Sequence, residues 1–172
     1  MKTLVIHPKD NSTDFLSVIY ANKDWTVITE NPSNSKLRQQ IKEHDRIIML
    51  GHGTAYGLIG HKRLIIHSNH VHLLRQKEVI AIWCHADQFV KKYGLKGFYT
   101  GMFISEFDEA YNESVYNVSV SEIDLSNSIF AKAVGEYADS SNMLEEVKKA
   151  YMNNNCPVVV YNYDRLNYNN PN

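Results

Sequence analysis

The segment RIIMLGHGT at positions 46–54, together with its later counterpart EVIAIWCHAD at positions 78–87, indicates the fold of this chain. Each segment is a short aliphatic run that ends at a reactive side chain. Such runs are typical of strands that are buried on both faces in a parallel sheet covered by helices. Because open α/β sheets carry their sites at the carboxyl ends of the strands, we expect His52 and Cys84 to meet there, although 84 − 52 = 32 positions separate them.

The rest of the chain alternates between strand and helix patterns. Apolar, branched runs and amphipathic segments give βαβαβ up to position 50, which is the signature of a parallel sheet. A β-hairpin is expected off the main sheet at 56–66, and a further strand at 97–104. Amphipathic helices follow at 126–137 and 141–152, and a last strand is predicted at 157–161.

This pattern predicts an α/β fold, a three-layer αβα sandwich with a mainly parallel central sheet and a small β-hairpin after the His-Gly motif. At 172 residues and 44% hydrophobic content, the chain has the size and composition of one domain, 1–172. The polar, asparagine-rich tail at 161–172 is expected to be frayed.

Charge and composition exclude several classes of partner. The chain carries 18 basic and 19 acidic side chains, so there is no field that would hold nucleic acid or an anionic membrane. The apolar core of the first ten residues is too short for a signal peptide, and no run approaches a membrane span. Two cysteines cannot form a disulfide framework. We therefore expect a cytoplasmic protein, and the sequence indicates no oligomeric state.

His52 and Cys84 are the smallest side-chain pair that can perform acyl transfer. A thiol attacks as the thiolate, and an imidazole takes its proton and later protonates the leaving amine. Glycines beside His52 let a backbone N–H approach a substrate carbonyl closely, so the amides of Gly53 and Cys84 are candidates for an oxyanion hole. The structural alternative is that Cys84 is a small buried hydrophobe and His52 a turn residue.

An apolar strand ending in His-Gly, a hairpin and helix, and then an apolar strand ending in Cys resemble the caspase-like cysteine peptidases. That clan includes caspases, legumains, gingipains, clostripain and the CHAT domains. The order of His before Cys matches the clan and is opposite to that of class I glutamine amidotransferases. The resemblance covers about positions 3–104. It implies a caspase-like fold with His52 as general base, Cys84 as nucleophile and Gly53 in the oxyanion hole, acting on a peptide or protein without a cofactor.

The same resemblance implies where a specificity pocket lies. It draws on the residues after the first strand, Lys9 or Asp10, and on those after the strand that follows the nucleophile. The latter are Ser105, Glu106 or Asp108. Carboxylates in this set would favour a basic residue before the scissile bond, whereas Lys9 would favour an acidic one.

Other features leave alternatives open. Bulky Trp83 stands where clan members often have a small residue, which raises the possibility of a binding or scaffold module without turnover. An amidotransferase-like hydrolase is a third interpretation, and it would predict a carboxylate behind the histidine.

His85 is expected to pack or to cap the next helix, because neighbours on a strand face opposite ways. His67 and His70 lack the spacing of a known metal site, so we expect no metal.

Overall fold

The computed structural model describes residues 1–152 and 155–171. The strands of this part of the chain are β1 Thr3–Ile6, β2 Thr26–Ile28, β3 Arg46–Leu50, β4 Gly53–Thr54, β5 Gly57–Gly60, β6 Arg63–Ile66, β7 Glu78–Ile82, β8 Lys96–Thr100 and β9 Leu166–Asn169. The α-helices are α1 Asn34–Glu43, α2 Val71–Leu74, α3 Ala86–Tyr93, α4 Phe107–Asn112, α5 Val120–Tyr137, α6 Met143–Tyr151 and α7 Pro157–Tyr163. Two 3₁₀ helices span Asn11–Ile19 and Ser68–His70.

The main sheet has the strand order β2-β1-β3-β7-β8-β9. Its neighbouring strands are parallel except for β9, which pairs antiparallel with β8. The prediction of an α/β protein with a mainly parallel central sheet is confirmed.

Helices cover both faces of this sheet. Because successive residues of a strand point to opposite faces, each central strand contributes to two cores. In β3, Ile47 and Met49 join a core that includes residues of α1, α2 and α3, whereas Ile48 and Leu50 join a core built with α5, α6 and the longer 3₁₀ helix. All four side chains are fully buried. The continuous aliphatic run of β3 is therefore explained by burial on both faces.

The hairpin predicted at 56–66 is present as β5 and β6, and β4 extends it to a three-stranded antiparallel sheet. Its Leu58 and Ile66 pack into the core on the side of α1, α2 and α3. This small sheet starts at Gly53, so the pairing of β4 with β5 fixes the backbone immediately after His52.

The prediction for the C-terminal region is wrong in two respects. The valine-rich segment expected as a strand at 157–161 is the helix α7, which begins with Pro157, because proline's fixed φ and missing N–H suit the first position of a helix. The tail expected to be frayed at 161–172 contains the end of α7 and the edge strand β9. Residue 172 lies outside the described residues.

The strand predicted at 97–104 is also shorter than expected, since β8 ends at Thr100. The chain beyond it is held by Asn162 of α7, which is fully buried. Its side chain accepts a hydrogen bond from the Ile104 N–H at 2.7 Å and donates one to the Ile104 carbonyl at 2.9 Å. Helix α7 therefore fixes the segment that leads from β8 to α4.

Among the helices of the described residues, none is both long and apolar enough to cross a membrane.

Candidate active site

The order of the parallel strands defines one switch point in the sheet. The chain runs from β1 to β2 on one side, and then crosses to β3, β7 and β8 on the other. In open α/β sheets ligands bind in the crevice outside the carboxyl ends of the strands at such a point. Asp10 and Ser12 follow β1, and His52 follows β3, so these three residues stand at the switch point.

His52 and Cys84 leave the sheet beside each other. Strands β3 and β7 pair with a constant offset, from Arg46 with Glu78 (78 − 46 = 32) to Leu50 with Ile82 (82 − 50 = 32). The Gly51 N–H continues the ladder by donating to the Ile82 carbonyl at 3.0 Å. His52 and Cys84 have the same offset of 32 residues, and both line one cavity of about 20 Å³. This volume holds about one water molecule.

A chain of hydrogen bonds runs from Asp10 through Ser12 to His52. The Ser12 hydroxyl donates to Asp10 Oδ1 at 2.6 Å, and its oxygen lies 2.6 Å from His52 Nε2. Because Ser12 has a single hydroxyl hydrogen, which goes to Asp10, His52 Nε2 must carry the hydrogen of its bond to Ser12. The other ring nitrogen, Nδ1, has no hydrogen-bond partner within the described residues. A neutral His52 therefore keeps Nδ1 as its basic nitrogen.

The start of the first 3₁₀ helix explains why Asp10 is held in this position. Asp10 is the N-cap residue of that helix, with extended backbone angles, and its carboxylate accepts the Ser12 N–H at 2.9 Å. Its hydrogen bonds from Ser12 lower the pKa of Asp10, and the nearby His52 adds to this effect. Asp10 Oδ1 is 3.6 Å from His52 Nε2. Asp10 therefore places a carboxylate next to the His52 imidazole, and the Ser12 hydroxyl lies between the two side chains.

Cys84 lies in the turn between β7 and α3, and its thiol is protonated at neutral pH. The Sγ–H points to the Phe103 carbonyl at 3.6 Å, and Glu109 Oε1 is 3.9 Å from the sulfur. Burial raises the pKa of Cys84 to about 11, and the carboxylates of Glu109 and Glu113 act in the same direction. Within the described chain, no hydrogen bond joins Cys84 to His52.

Glu109 is fixed by the start of α4. Its Oε2 accepts hydrogen bonds from the backbone N–H of Ser105 at 2.8 Å and of Glu106 at 3.1 Å, which is one half of a capping box. The carboxylate is therefore immobilised by helix capping, and its other oxygen faces the thiol of Cys84.

Trp83 is a core residue that packs on Gly53. It is 2% exposed, and its Nε1–H donates to the Thr54 carbonyl at 3.0 Å. A Cβ built on Gly53 would lie 2.1 Å from Trp83 Cδ1, so only glycine fits there. The indole makes an edge contact with Phe89 of α3 at 5.8 Å between ring centroids, and Trp83 also contributes to the wall of the small cavity.

His85 occupies the N-cap position of α3 in a left-handed conformation, with φ of 69°. Its side chain makes no capping hydrogen bond and is exposed. His85 therefore stands at the cap of the helix, as predicted, but its side chain neither packs nor caps.

The structure separates the predicted specificity residues into three sets. Ser105 and Glu106 line an open cleft of about 550 Å³ between the first 3₁₀ helix, the start of α4 and α5. Asp10 instead belongs to the hydrogen-bonded chain behind His52. Asp108 and Lys9 do not line this cleft, and the Lys9 N–H donates to the Thr29 carbonyl.

Two residues near the reactive groups were not singled out by the sequence. Ser12 belongs to no catalytic motif in the sequence, although a polar side chain just after β1 is placed at the same sheet edge as His52. Glu109 has no such local signal, because the capping-box signature has Ser, Thr, Asp or Asn three positions before the acid, whereas position 106 is Glu. Its contact with Cys84 depends on how the 101–106 segment returns to the sheet, and no local pattern shows that.

His67 and His70 have structural partners. His70 Nε2 is 2.9 Å from Asn34 Oδ1, and the His67 and His70 rings contact edge to face. Burial, followed by the neighbouring His67, lowers the pKa of His70 to about 4. The described residues contain no group of three or more His, Cys, Asp or Glu side chains that could hold a metal ion.

No protein-family model matches this chain, and no curated protein matches it in sequence. Among solved structures, the Trp repressor binding protein from Bacillus subtilis aligns with 11% sequence identity and a TM-score of 0.40. The alignment covers 73% of this chain and 99% of that chain. A likeness at this level carries no inference about function.

Proposed function

We propose that this chain is a caspase-like cysteine peptidase that cleaves peptide bonds, with Cys84 as nucleophile and His52 as general base. The observation that carries the proposal is that both side chains leave adjacent parallel strands at the same register and line one cavity at the switch point of the sheet. The His-Gly and Cys motifs that resemble the caspase-like clan occupy these two strand ends. Such a reaction needs a reduced thiol, which suits a reducing compartment such as the cytoplasm.

The hydrogen bonds behind His52 suit the task of a general base. Asp10 and Ser12 fix the hydrogen on Nε2, which leaves Nδ1 to accept a proton. A positive charge formed on the imidazole would be stabilised by the Asp10 carboxylate, 3.6 Å from Nε2. Ser12 is thus a positioning residue in this proposal, and Asp10 has an electrostatic role.

The proposed reaction conserves atoms and charge. Cys84 transfers its thiol proton to His52 Nδ1 as the sulfur bonds to the substrate carbonyl carbon, and the backbone N–H groups of Gly53 and Cys84 stabilise the oxyanion. His52 then gives the proton to the leaving amine as the C–N bond breaks. Water hydrolyses the thioester with His52 again accepting a proton, and the Cys84 thiol is restored.

The resting arrangement is not yet the reactive one. The thiol is hydrogen-bonded to the Phe103 carbonyl, and the cavity has room for about one water molecule. A bound substrate must therefore draw the sulfur away from Phe103 and toward His52. Catalytic hydrogen bonds commonly tighten in this way only when substrate is bound.

Incubation with a mixed peptide library, followed by mass spectrometry of new termini, tests the proposal. We expect cleavage by the native chain, and loss of all cleavage in Cys84→Ala and in His52→Ala. Cys156→Ala is the matched control and should retain activity. Absence of any cleavage, or cleavage that survives Cys84→Ala, would contradict the peptidase function.

A second function, a peptide-binding module without turnover, is favoured by the environment of the thiol. Burial and the Glu109 carboxylate hold Cys84 in the neutral form, which is the opposite of what an activated nucleophile needs. Such a module would bind peptides in the open cleft but would neither cleave them nor form a bond to a peptide electrophile. The same library assay, combined with a binding measurement, separates the two functions.

A further inference from the structure

A separate cavity, of about 70 Å³, lies between the start of α1, the strand β6 and the turn that leads from β6 to α2. Its polar lining comes from all three segments. Asn34 begins α1, Arg63 begins β6, and His67 and His70 belong to the turn. A cavity needs about 10–15 Å³ to hold one water molecule, so this one has room for a small polyatomic ion.

The hydrogen bonds of the turn leave this cavity rich in donors. The His67 N–H donates to His70 Nδ1 at 3.3 Å, so a neutral His70 carries its hydrogen on Nε2 and donates it to Asn34 Oδ1 at 2.9 Å. The Asn69 N–H donates to His67 Nδ1 at 3.4 Å, so His67 carries a hydrogen on Nε2. Neither the Asn34 side-chain NH₂ group nor the His67 Nε2–H has an acceptor among the described residues.

The positive charges at this cavity have no carboxylate partner. Arg63 Nη2 donates to the Pro32 carbonyl at 3.0 Å. Arg38, beside the same turn, donates to the Asn69 carbonyl and to His72 Nε2, both at 3.2 Å. Neither guanidinium forms an ion pair within the described part of the chain, and the described lining of the cavity contains no acidic side chain. A concave site lined by one sign of charge attracts the opposite ion.

His70 holds the donor of Asn34 in place. It is 1% exposed, and burial, together with the neighbouring His67, Arg38 and His72, lowers its pKa to about 4. The imidazole is therefore neutral near pH 7, and its Nε2–H occupies the Asn34 side-chain oxygen. The end of the Asn34 side chain that remains free is its NH₂ group.

The first turn of α1 adds a favourable field. This helix has ten residues, and no acidic side chain stands in its first turn. Because the N-terminus of a helix carries a partial positive charge, it stabilises an anion placed beside it. The guanidinium, the imidazole, the amide and the helix end thus favour the same class of ligand.

We propose that this cavity binds a phosphate-type oxyanion, either free inorganic phosphate or the phosphoryl group of a monoester. Arg63 supplies the counter-charge, and the Asn34 NH₂ group and the His67 Nε2–H donate to the oxygens of the anion. A tetrahedral anion suits these donors because they come from three segments and not from one plane. No described residue lines both this cavity and the one at His52 and Cys84, so the proposal does not depend on peptidase activity.

Titration of the full chain with inorganic phosphate tests the proposal, with sodium chloride at the same ionic strength as the blank. NMR of the histidine side-chain nitrogens follows the imidazoles of His67 and His70 directly. We expect saturable shifts of these signals with phosphate and none with chloride. The dissociation constant should be at least about tenfold higher in Arg63→Gln, because hydrogen bonds between charged groups contribute about that much.

Variants locate the binding. Arg75→Gln is the matched control, because Arg75 donates to the Tyr93 carbonyl and does not line the cavity, and it should leave the dissociation constant unchanged. Thermal melts without phosphate confirm that both variants fold. Added phosphate should raise the melting temperature of the native chain and of Arg75→Gln but not that of Arg63→Gln, since a ligand that binds only the folded state stabilises it.

A second titration, with methyl phosphate, distinguishes the two sources of the anion. Tighter binding of methyl phosphate assigns a phosphoryl monoester, tighter binding of inorganic phosphate assigns the free ion, and similar affinities show that the shared phosphate group is recognised. Each of these results supports the site. Shifts that do not saturate, equal shifts with chloride, or equal effects of Arg63→Gln and Arg75→Gln would overturn the proposal.

Discussion

At the scale of single residues, hydrogen bonds from Asp10 through Ser12 determine which nitrogen of the His52 imidazole carries the hydrogen. Ser12 donates its hydroxyl hydrogen to Asp10 and accepts the Nε2 hydrogen of His52. This arrangement fixes both the tautomer and the orientation of the ring. The ring nitrogen that remains without a hydrogen-bond partner among the described residues is Nδ1, and the proposed general base would use it.

Replacement of Ser12 by alanine tests this positioning role. We expect kcat for a cleaved peptide to fall about tenfold, a part of the roughly 10²–10⁴-fold contribution of general acid–base catalysis, with KM nearly unchanged. Ser12→Thr keeps the hydroxyl and should recover most of the rate. If Ser12→Ala abolished cleavage while Cys84→Ala retained it, Ser12 would be the nucleophile and the assignment of roles would fail.

The Cys84 thiol should titrate far above neutral pH. With its pKa raised to about 11 by burial and by Glu109, the thiolate fraction at pH 7 is about one in ten thousand. Alkylation of Cys84 by iodoacetamide should therefore be slow at pH 7 and should accelerate as the pH rises toward 11. Peptide mapping distinguishes Cys84 from Cys156.

Glu109→Gln removes a carboxylate that disfavours the thiolate, so it should lower the pKa of Cys84 and speed alkylation at a fixed pH. Glu106→Gln, on the same segment but without contact to the thiol, is the control. Alkylation at neutral pH as rapid as that of an ordinary thiol, or slower alkylation in Glu109→Gln, would show that the resting thiol is not held neutral as described.

At the scale of elements, the site depends on how β4 packs against the turn after β7. Gly53 lies against the Trp83 ring, and the ring is held by the bond from Nε1 to the Thr54 carbonyl. The sequence indicated Gly53 as a close-approach residue for a substrate. The structure shows that its missing Cβ is required for packing as well.

Gly53→Ala should destabilise the fold by about 1–3 kcal/mol, because the new methyl group overpacks a fixed indole ring. Urea denaturation measures the loss. In a Trp83→Leu background the smaller side chain leaves room, so the same change should cost much less. An equal loss in both backgrounds would contradict the steric explanation.

The element predictions succeeded where the pattern was long and strictly aliphatic, as in β3 and β7. They failed for α7 because a short run of valines favours a strand, whereas here Val158, Val159 and Asn162 are the buried positions of a helix that Pro157 begins. They failed for β9 because an edge strand that contains asparagine has little sequence signal. It forms by pairing antiparallel with β8, a contact between residues far apart in the sequence.

At the scale of the whole molecule, the chain order of the elements places the reactive groups. Two crossovers in opposite directions from β1 create the switch point at which His52 stands, and the constant offset between β3 and β7 brings Cys84 beside His52. This much followed from the sequence, because parallel sheets have one site-bearing edge. The orientation of Cys84 toward Phe103, and the cleft between α4 and α5, arise from long-range packing that no local pattern contains.

The central claim is that Cys84 and His52 act together on a peptide carbonyl. Intact-mass and peptide-mapping analysis of the chain after exposure to a peptidyl acyloxymethyl ketone at pH 7 tests it most directly. We predict a single adduct on Cys84, formed much faster than on Cys156 and slowed at least about 100-fold by His52→Ala, since the imidazole must accept the thiol proton. No adduct on Cys84, or an equal rate in His52→Ala, would contradict the claim.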